Sequence, residues 1–238
     1  MNVSVAMATY NGEKYIRQQV DSILSQLGSD DELIISDDHS TDQSISIVEE
    51  YMKVDNRVKL YMNDEKGVTS NFENAMMRTK NDIIFLSDQD DAWKPEKVET
   101  VISYYKKHPN VQMIMSDITV VDSNMNTTIE SFYEFRGSRT GVFKNIVKNS
   151  YIGCAMSFRR ELKEKILPIP RNVPMHDMWI GLVADMNKTA LLIPEKLIYY
   201  RRHESTVTTV ENTSSLKEKL VWRFQISSLL LHSFLKHR

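Results

Sequence analysis

VSVAMATYNGEKYIRQQVDSILSQL, residues 3–27, changes its hydrophobic period once, and that change decides the fold. Val3 to Ala8 is a short β-rich run. After the polar group Thr9-Tyr10-Asn11-Gly12, the residues Tyr15, Ile16, Gln19, Val20, Ile23, Leu24 and Leu27 fall at helical spacing with one polar exception. The unit recurs downstream, with β-rich runs at Glu32–Ser36, Arg57–Tyr61 and Asp82–Ser87 and a helical pattern in Ile45, Val48, Tyr51 and Met52. Such alternation predicts an α/β fold, a parallel sheet with crossover helices. Ser40-x-x-Gln43 and Ser70-x-x-Glu73 read as capping boxes. Pro95 reads as a first-turn residue ahead of Val98, Val101, Ile102 and Tyr105.

Past His108 the alternation weakens. Val111–Met115, Ile118–Val121, Tyr151–Phe158, Ala190–Ile193 and Lys196–Arg201 read as strands and Asp177–Met186 as an apolar helix. Residues 123–142, rich in Ser, Asn, Thr and Gly, read as loop.

In open parallel sheets, ligands bind beyond the carboxyl ends of the strands, where strand order reverses. The polar clusters sit there: Thr9 to Gly12 after the first strand, Asp37-Asp38 after the second, and SDQDDAW, residues 87–93, after the fourth. With strand order 3-2-1-4, Thr9 and Asp90 face one crevice. Two carboxylates about 5 Å apart repel by roughly 3 kcal/mol at an effective dielectric of about 20, so the acidic cluster needs water or a cation. Neither G-x-G-x-x-G nor G-x-x-x-x-G-K-[ST] occurs, so a bound diphosphate would be neutralised otherwise, for which a carboxylate-held divalent cation is suited.

Each feature also has an ordinary reading. Asp37 and Asp38 suit a turn or cap. Trp93 suits the core or its rim, His203 the surface, and Asp177 the favourable field of a helix N-terminus. An EF-hand over residues 88–99 fails, because Ala92 and Trp93 stand where an oxygen ligand and the glycine belong.

Composition narrows the classes. The 238 residues are 41% hydrophobic with net charge −2, enough for a substantial core and without the basic stripe of a nucleic-acid protein. Cys154 is the only cysteine, which excludes a disulfide framework and suits a reducing cytoplasm. The first residues show no signal-peptide pattern, so a cytoplasmic location is expected. Residues 215–238 carry net +4 against −6 for the remainder, and Leu216, Leu220, Phe224, Leu231 and Leu235 form an apolar stripe. That basic amphipathic helix either packs on the domain, or on another subunit of an oligomer, or lies on the anionic inner face of the membrane.

In order, ATYNGEKYI, ISDDHSTD, SDQDDAW, HDMW and YYRRHEST resemble the family 2 inverting glycosyltransferases, and SDQDD with a later HD-x-W is most similar to the bacterial rhamnosyltransferase branch. The resemblance spans about residues 2–207. It implies a GT-A catalytic domain over 1–214, in which residues 1–110 bind the nucleotide and residues 111–214 shape the acceptor site. By the same resemblance, Thr9 and Tyr10 lie against the nucleobase, and Asp38, with Asp37 beside it, binds near base and ribose. Asp88 contacts ribose or sugar, Asp90 ligates Mg²⁺ or Mn²⁺, and Asp91 orients the sugar or supports the others. His203 reaches the diphosphate or metal, and Asp177 is the general base.

The implied reaction moves one sugar from a dTDP- or UDP-sugar, such as dTDP-rhamnose or a UDP-hexose, to a glycan or lipid-linked acceptor in surface polysaccharide synthesis. Two departures stand out. His176-Asp177 replaces an acidic pair, leaving His176 as a rival base. The Gln-x-x-Arg-Trp element and the membrane helices of processive synthases are absent, which argues for single transfers. Trp93 and Trp179 stay open as sugar or acceptor contacts. A nucleotidyltransferase would be expected to carry a basic glycine-rich loop where TYNGEKYI stands, and a non-catalytic binding module would not need Asp177.

Overall fold

The computed structural model describes residues 1–202, 223 and 225–230. Four parallel strands open the chain, β1 (Val3–Thr9), β2 (Glu32–Asp37), β3 (Val58–Met62) and β4 (Ile83–Asp88). They are joined by α1 (Ile16–Leu24), α2 (Ser44–Val54) and α3 (Val68–Arg78). A two-residue β5 (Ala92–Trp93), α4 (Lys97–Lys107), β6 (Met113–Val121), β7 (Thr127–Ile129), α5 (Phe132–Arg136) and α6 (Val142–Val147) follow. A 3-10 turn (Gly153–Ala155) then leads into β8 (Met156–Arg159), α7 (Arg160–Ile166), α8 (His176–Met186) and β9 (Ala190–Arg201).

One sheet runs through both halves of the chain in the order β3-β2-β1-β4-β8-β6-β9-β5, with β7 on β6. The expected 3-2-1-4 order holds. β8 enters antiparallel between β4 and β6, while β5, from the first half, closes on β9 from the second. Pairing Val3 with Ile83 and Ala8 with Asp88 brings the carboxyl ends of β1 and β4 level. Helices cover both faces, so β1, β2 and β4 are apolar runs buried nearly throughout.

Several local expectations are corrected. Val111–Met115 and Ile118–Val121 belong to the single strand β6, and the two late strands are both β9. Between Ser116 and Asp117 the register with β9 jumps from Ile193 to Lys196. The pair Pro194-Glu195 is extruded there because proline has no N–H for the ladder. Neither capping box forms. Ser40 bonds to Asp37 and α2 starts at Ser44, while Ser70 lies inside the first turn of α3 behind Gly67, whose φ is 126°.

Pro95 precedes the helix by two residues. The stretch 123–142 holds β7 and α5, the latter capped by Ser131 accepting from Glu134 N. Tyr151–Phe158 is extended only from Met156. Of the basic tail, Ile226 and Leu230 are buried against the core, and Arg223 Nη2 donates to Val147 O at 3.0 Å. All five residues of the apolar stripe, and His203, lie outside the described residues.

Candidate active site

The crevice is floored by the ends of β1, β2 and β4. Thr9 is buried, and its Oγ1 donates to Asp37 Oδ2 at 2.8 Å. Asp37 also accepts from Ser40 N and Ser40 Oγ, each at 2.7 Å. These two side chains therefore brace the β1–β2 junction. Asp38 is half-buried and accepts from Asn63 Nδ2 and Gly67 N, each at 2.9 Å, which ties the start of α3 to the crevice. Tyr10 stands out from this frame, 55% exposed.

Gln89 joins the loops after β1 and β4. Its amide pairs with the Tyr10 backbone as one peptide group pairs with another, Tyr10 N to Oε1 at 2.9 Å and Nε2 to Tyr10 O at 2.8 Å. Gly12 makes room for it, since a Cβ there would overlap the Gln89 side-chain amide. Behind the loop, Gln19 Nε2 donates to Ser87 Oγ at 2.7 Å and Asp88 O at 3.1 Å.

The acidic loop closes against a buried floor. Asp88, Asp91 and Cys154 place one ligand atom each within 4.8 Å of one another. Burial, then the charges of Asp91, Asp90 and Asp177, push the Asp88 carboxyl well above the usual carboxylate range. Asp91 is fully buried. Its Oδ1 accepts from Arg201 N at 3.0 Å, while Oδ2 has no hydrogen-bond partner among the described residues. Burial and the neighbouring Asp90 raise it to about 7.

Lys97 reaches the same floor from α4, 1% exposed, donating to Cys154 O at 3.0 Å and lying 4.1 Å from the Trp93 ring centroid. Burial pulls its ammonium down to about 7. Arg201, also buried, clamps the loop from the end of β9. It donates to Asp90 O at 2.8 Å, Gln18 Oε1 at 2.6 Å and Ser123 O at 3.3 Å, with its guanidinium over the Tyr15 ring.

Asp177 arrives from the first turn of α8, half-buried and close enough for its charge to act on Asp88. Burial raises it to about 7 against the pull of the Met178 and Gly153 N–H groups. His176 beside it is buried, with both ring nitrogens unpartnered and the ring stacked on Phe72 at 4.0 Å between centroids. Burial holds its pKa at about 3, so the ring is neutral and a poor base at physiological pH. Its Nε2 would lie 2.5 Å from a Cβ on Gly153, which leaves glycine as the residue that fits.

Both described tryptophans are core. Trp179 is 2% exposed with Nε1 donating to Ile166 O at 2.9 Å, and Trp93 is 4% exposed. Neither presents a ring face to a sugar.

The fold thus gathers Tyr10, Asp38, Asp88, Asp90 and Asp177 around one crevice, with Thr9, Asp37 and Asp91 buried behind it. Gln89, Arg201, Lys97 and Gly153 are further members that spacing does not reveal. For a cation, the carboxylates of Asp88 and Asp90 are hard oxygen donors suited to Mg²⁺ or Mn²⁺, whereas the Cys154 thiol, clustered with Asp88 and Asp91, is soft. The like charges that add to burial in raising the Asp88 carboxyl are relieved by positive charge at that position, so the donor set fits such an ion.

Comparison with known proteins agrees with this geometry. The model of Glycosyl transferase family 2 matches residues 4–167. The putative teichuronic acid biosynthesis glycosyltransferase TuaG of Bacillus subtilis is 26% identical over 224 residues, 93% of this chain and 87% of its own length. The UDP-Glc:alpha-D-GlcNAc-diphosphoundecaprenol beta-1,3-glucosyltransferase WfgD of Escherichia coli is 25% identical over 213 residues, 87% of this chain and 79% of that one. Among solved structures, S. aureus TarS 1-349 in complex with UDP superposes with a TM-score of 0.70 at 19% identity over 97% of this chain, which spans 65% of that structure. That likeness establishes the GT-A architecture. With the family model covering most of the sheet and the acidic crevice at its carboxyl edge, the chain belongs to glycosyl transferase family 2.

Proposed function

We propose that the protein is an inverting, non-processive hexosyltransferase. It moves one sugar from dTDP-rhamnose or a UDP-hexose to a hydroxyl of a glycan or lipid-linked acceptor in bacterial surface polysaccharide synthesis. The biosynthetic role rests on TuaG and WfgD, whose names carry such roles. The observation that carries the chemistry is the pairing of Asp177 with the acidic loop across one crevice. Asp177 has a carboxyl held at about 7, poised to take a proton near neutrality.

In this reading the exposed Tyr10 ring meets the nucleobase, and Asp38, fixed by Asn63 and Gly67, binds the ribose side. Asp90, together with Asp88, would hold Mg²⁺ or Mn²⁺, which would supply positive charge to stabilise the leaving diphosphate. Asp177 accepts the acceptor hydroxyl's proton as that oxygen attacks the anomeric carbon. The carbon–oxygen bond to the diphosphate breaks on the opposite face, and its electron pair leaves with the diphosphate. Configuration inverts and no covalent intermediate forms. The buried Thr9, Asp37 and Asp91 keep the loops in shape, and the neutral His176 is left outside the proton transfer.

The test is a calorimetric and donor-hydrolysis panel of dTDP-rhamnose, UDP-glucose, UDP-galactose and UDP-N-acetyl sugars, with and without Mn²⁺. One donor should bind at least tenfold more tightly with the cation present. If none bound, the transferase reading would fail.

A further inference from the structure

Residues 135–148 hold four cations, Arg136, Arg139, Lys144 and Lys148, and no carboxylate. Within them Phe143 is 84% exposed, Val147 49% and Phe135 59%. Phe143 and Val147, four apart on α6, share one helix face. Arg139, Lys144 and Lys148 form no ion pair among the described residues, and Arg139 and Lys148 act on Lys144 by like charge. Aromatic and aliphatic side chains interleaved with unpaired cations are the composition of a surface that rests on anionic lipid, the rings entering the headgroup boundary and the cations meeting phosphate.

The patch is held rigidly. Asn145, fully buried, donates to Arg139 O at 3.0 Å and Gly141 O at 3.1 Å, and accepts from Ser150 N and Oγ. Lys144 Nζ donates to Gly137 O, closing α6 onto the end of α5. α6 packs against α8, and Asp185 on α8 is eight residues, about 12 Å along the helix axis, from Asp177. No helix among the described residues is long and apolar enough to cross a membrane.

We propose that the face formed by Phe135, Phe143, Val147, Arg139, Lys144 and Lys148 docks the protein on an anionic lipid bilayer. Charge argues for lipid over other occupants. Residues 231–238 carry Lys236 and Arg238 and no carboxylate, residues 203–222 carry Glu204, Glu211 and Glu218 beside Lys217 and Lys219 and so offer little net negative charge, and a symmetric second copy would set cation against cation.

The test is co-sedimentation of the full chain with phosphatidylcholine vesicles and with vesicles containing about one third phosphatidylglycerol, without donor or acceptor. The expected result is binding to the anionic vesicles alone. Phe143→Ser/Val147→Ser should weaken it at least tenfold. Lys144→Gln/Lys148→Gln should weaken it about 30-fold, from about 1 kcal/mol for each lysine. Phe143, Val147 and Lys148 are exposed and Lys144 is half-buried with Nζ on Gly137 O, so unchanged melting of the variants is the check on intact folding. Unchanged partitioning of the Phe143/Val147 variant would overturn the proposal and move membrane contact to another face. So would equal binding to both vesicle types, or a concentration-dependent dimer that the same variant dissolves.

Discussion

Asp177→Asn separates proton transfer from everything else the crevice does. The substitution keeps the side chain's shape and one acceptor oxygen for the Met178 and Gly153 N–H groups, and it removes only the capacity to bind a proton near neutrality. Loss of a positioned base costs about 10²–10⁴ in kcat, or about 3–5 kcal/mol of transition-state stabilisation. Donor affinity should stay within about twofold, since the proposed function assigns Asp177 to the acceptor. The wild-type pH profile follows from the same residue. A base with a pKa of about 7 is about one-tenth ionised at pH 6 and about nine-tenths at pH 8, so kcat should rise about tenfold over that range. Steady-state UDP or dTDP release, measured at saturating donor from pH 5.5 to 8.5 beside calorimetric nucleotide binding, gives both quantities. A variant keeping more than a tenth of wild-type kcat, or a flat wild-type profile, would refute the assignment of Asp177 as base.

Three other outcomes are expected. Gly12→Ala should dislodge the Gln89 amide from Tyr10, lowering stability by about 1–2 kcal/mol and nucleotide affinity several-fold by calorimetry, with the fold intact by circular dichroism. Arg201→Lys keeps a charge but loses the fork that reaches Asp90 O, Gln18 and Ser123. Urea denaturation should show a loss of about 3 kcal/mol, and a neutral result would mean that the clamp is dispensable. Because Asp91 is raised from 3.8 to about 7, its contribution to cation-free stability is complete below about pH 4 and is lost as pH rises through about 7. Asp88 acts with the same sign, and Lys97, lowered to about 7, opposes it. Melting temperature should therefore fall between pH 5 and pH 8 without Mn²⁺ and recover when Mn²⁺ is added.

What was legible in the sequence is the portion carried by periodicity and by strand ends. β1 to β4 follow from alternation, because parallel strands buried on both faces leave an unmistakable apolar run, and the crevice at their carboxyl ends follows from the switch-point rule once the order 3-2-1-4 is assumed. Gln89 and Lys97 were not legible, because their roles depend on which distant backbone they meet, Tyr10 in one case and Cys154 in the other. Trp179 misled in the opposite sense. An aromatic beside Asp177 invites a sugar platform, yet one turn of α8 directs it inward to the Ile166 carbonyl. The strand breaks at Ser116 and Pro194 looked like element ends because a bulge and a terminus share the same local residues.

The amide pair between Gln89 and Tyr10 couples two binding events. One loop is assigned to the nucleobase in the proposed function and the other holds the carboxylates, and a double hydrogen bond makes them one body. Ordering either loop thus lowers the entropy cost of ordering the other. Nucleotide and Mn²⁺ then bind cooperatively, each strengthening the other by the same factor, as linkage requires. Gln89→Ala should shrink that factor toward the value set by direct phosphate–metal contact alone. An unchanged factor would show that the loops respond independently.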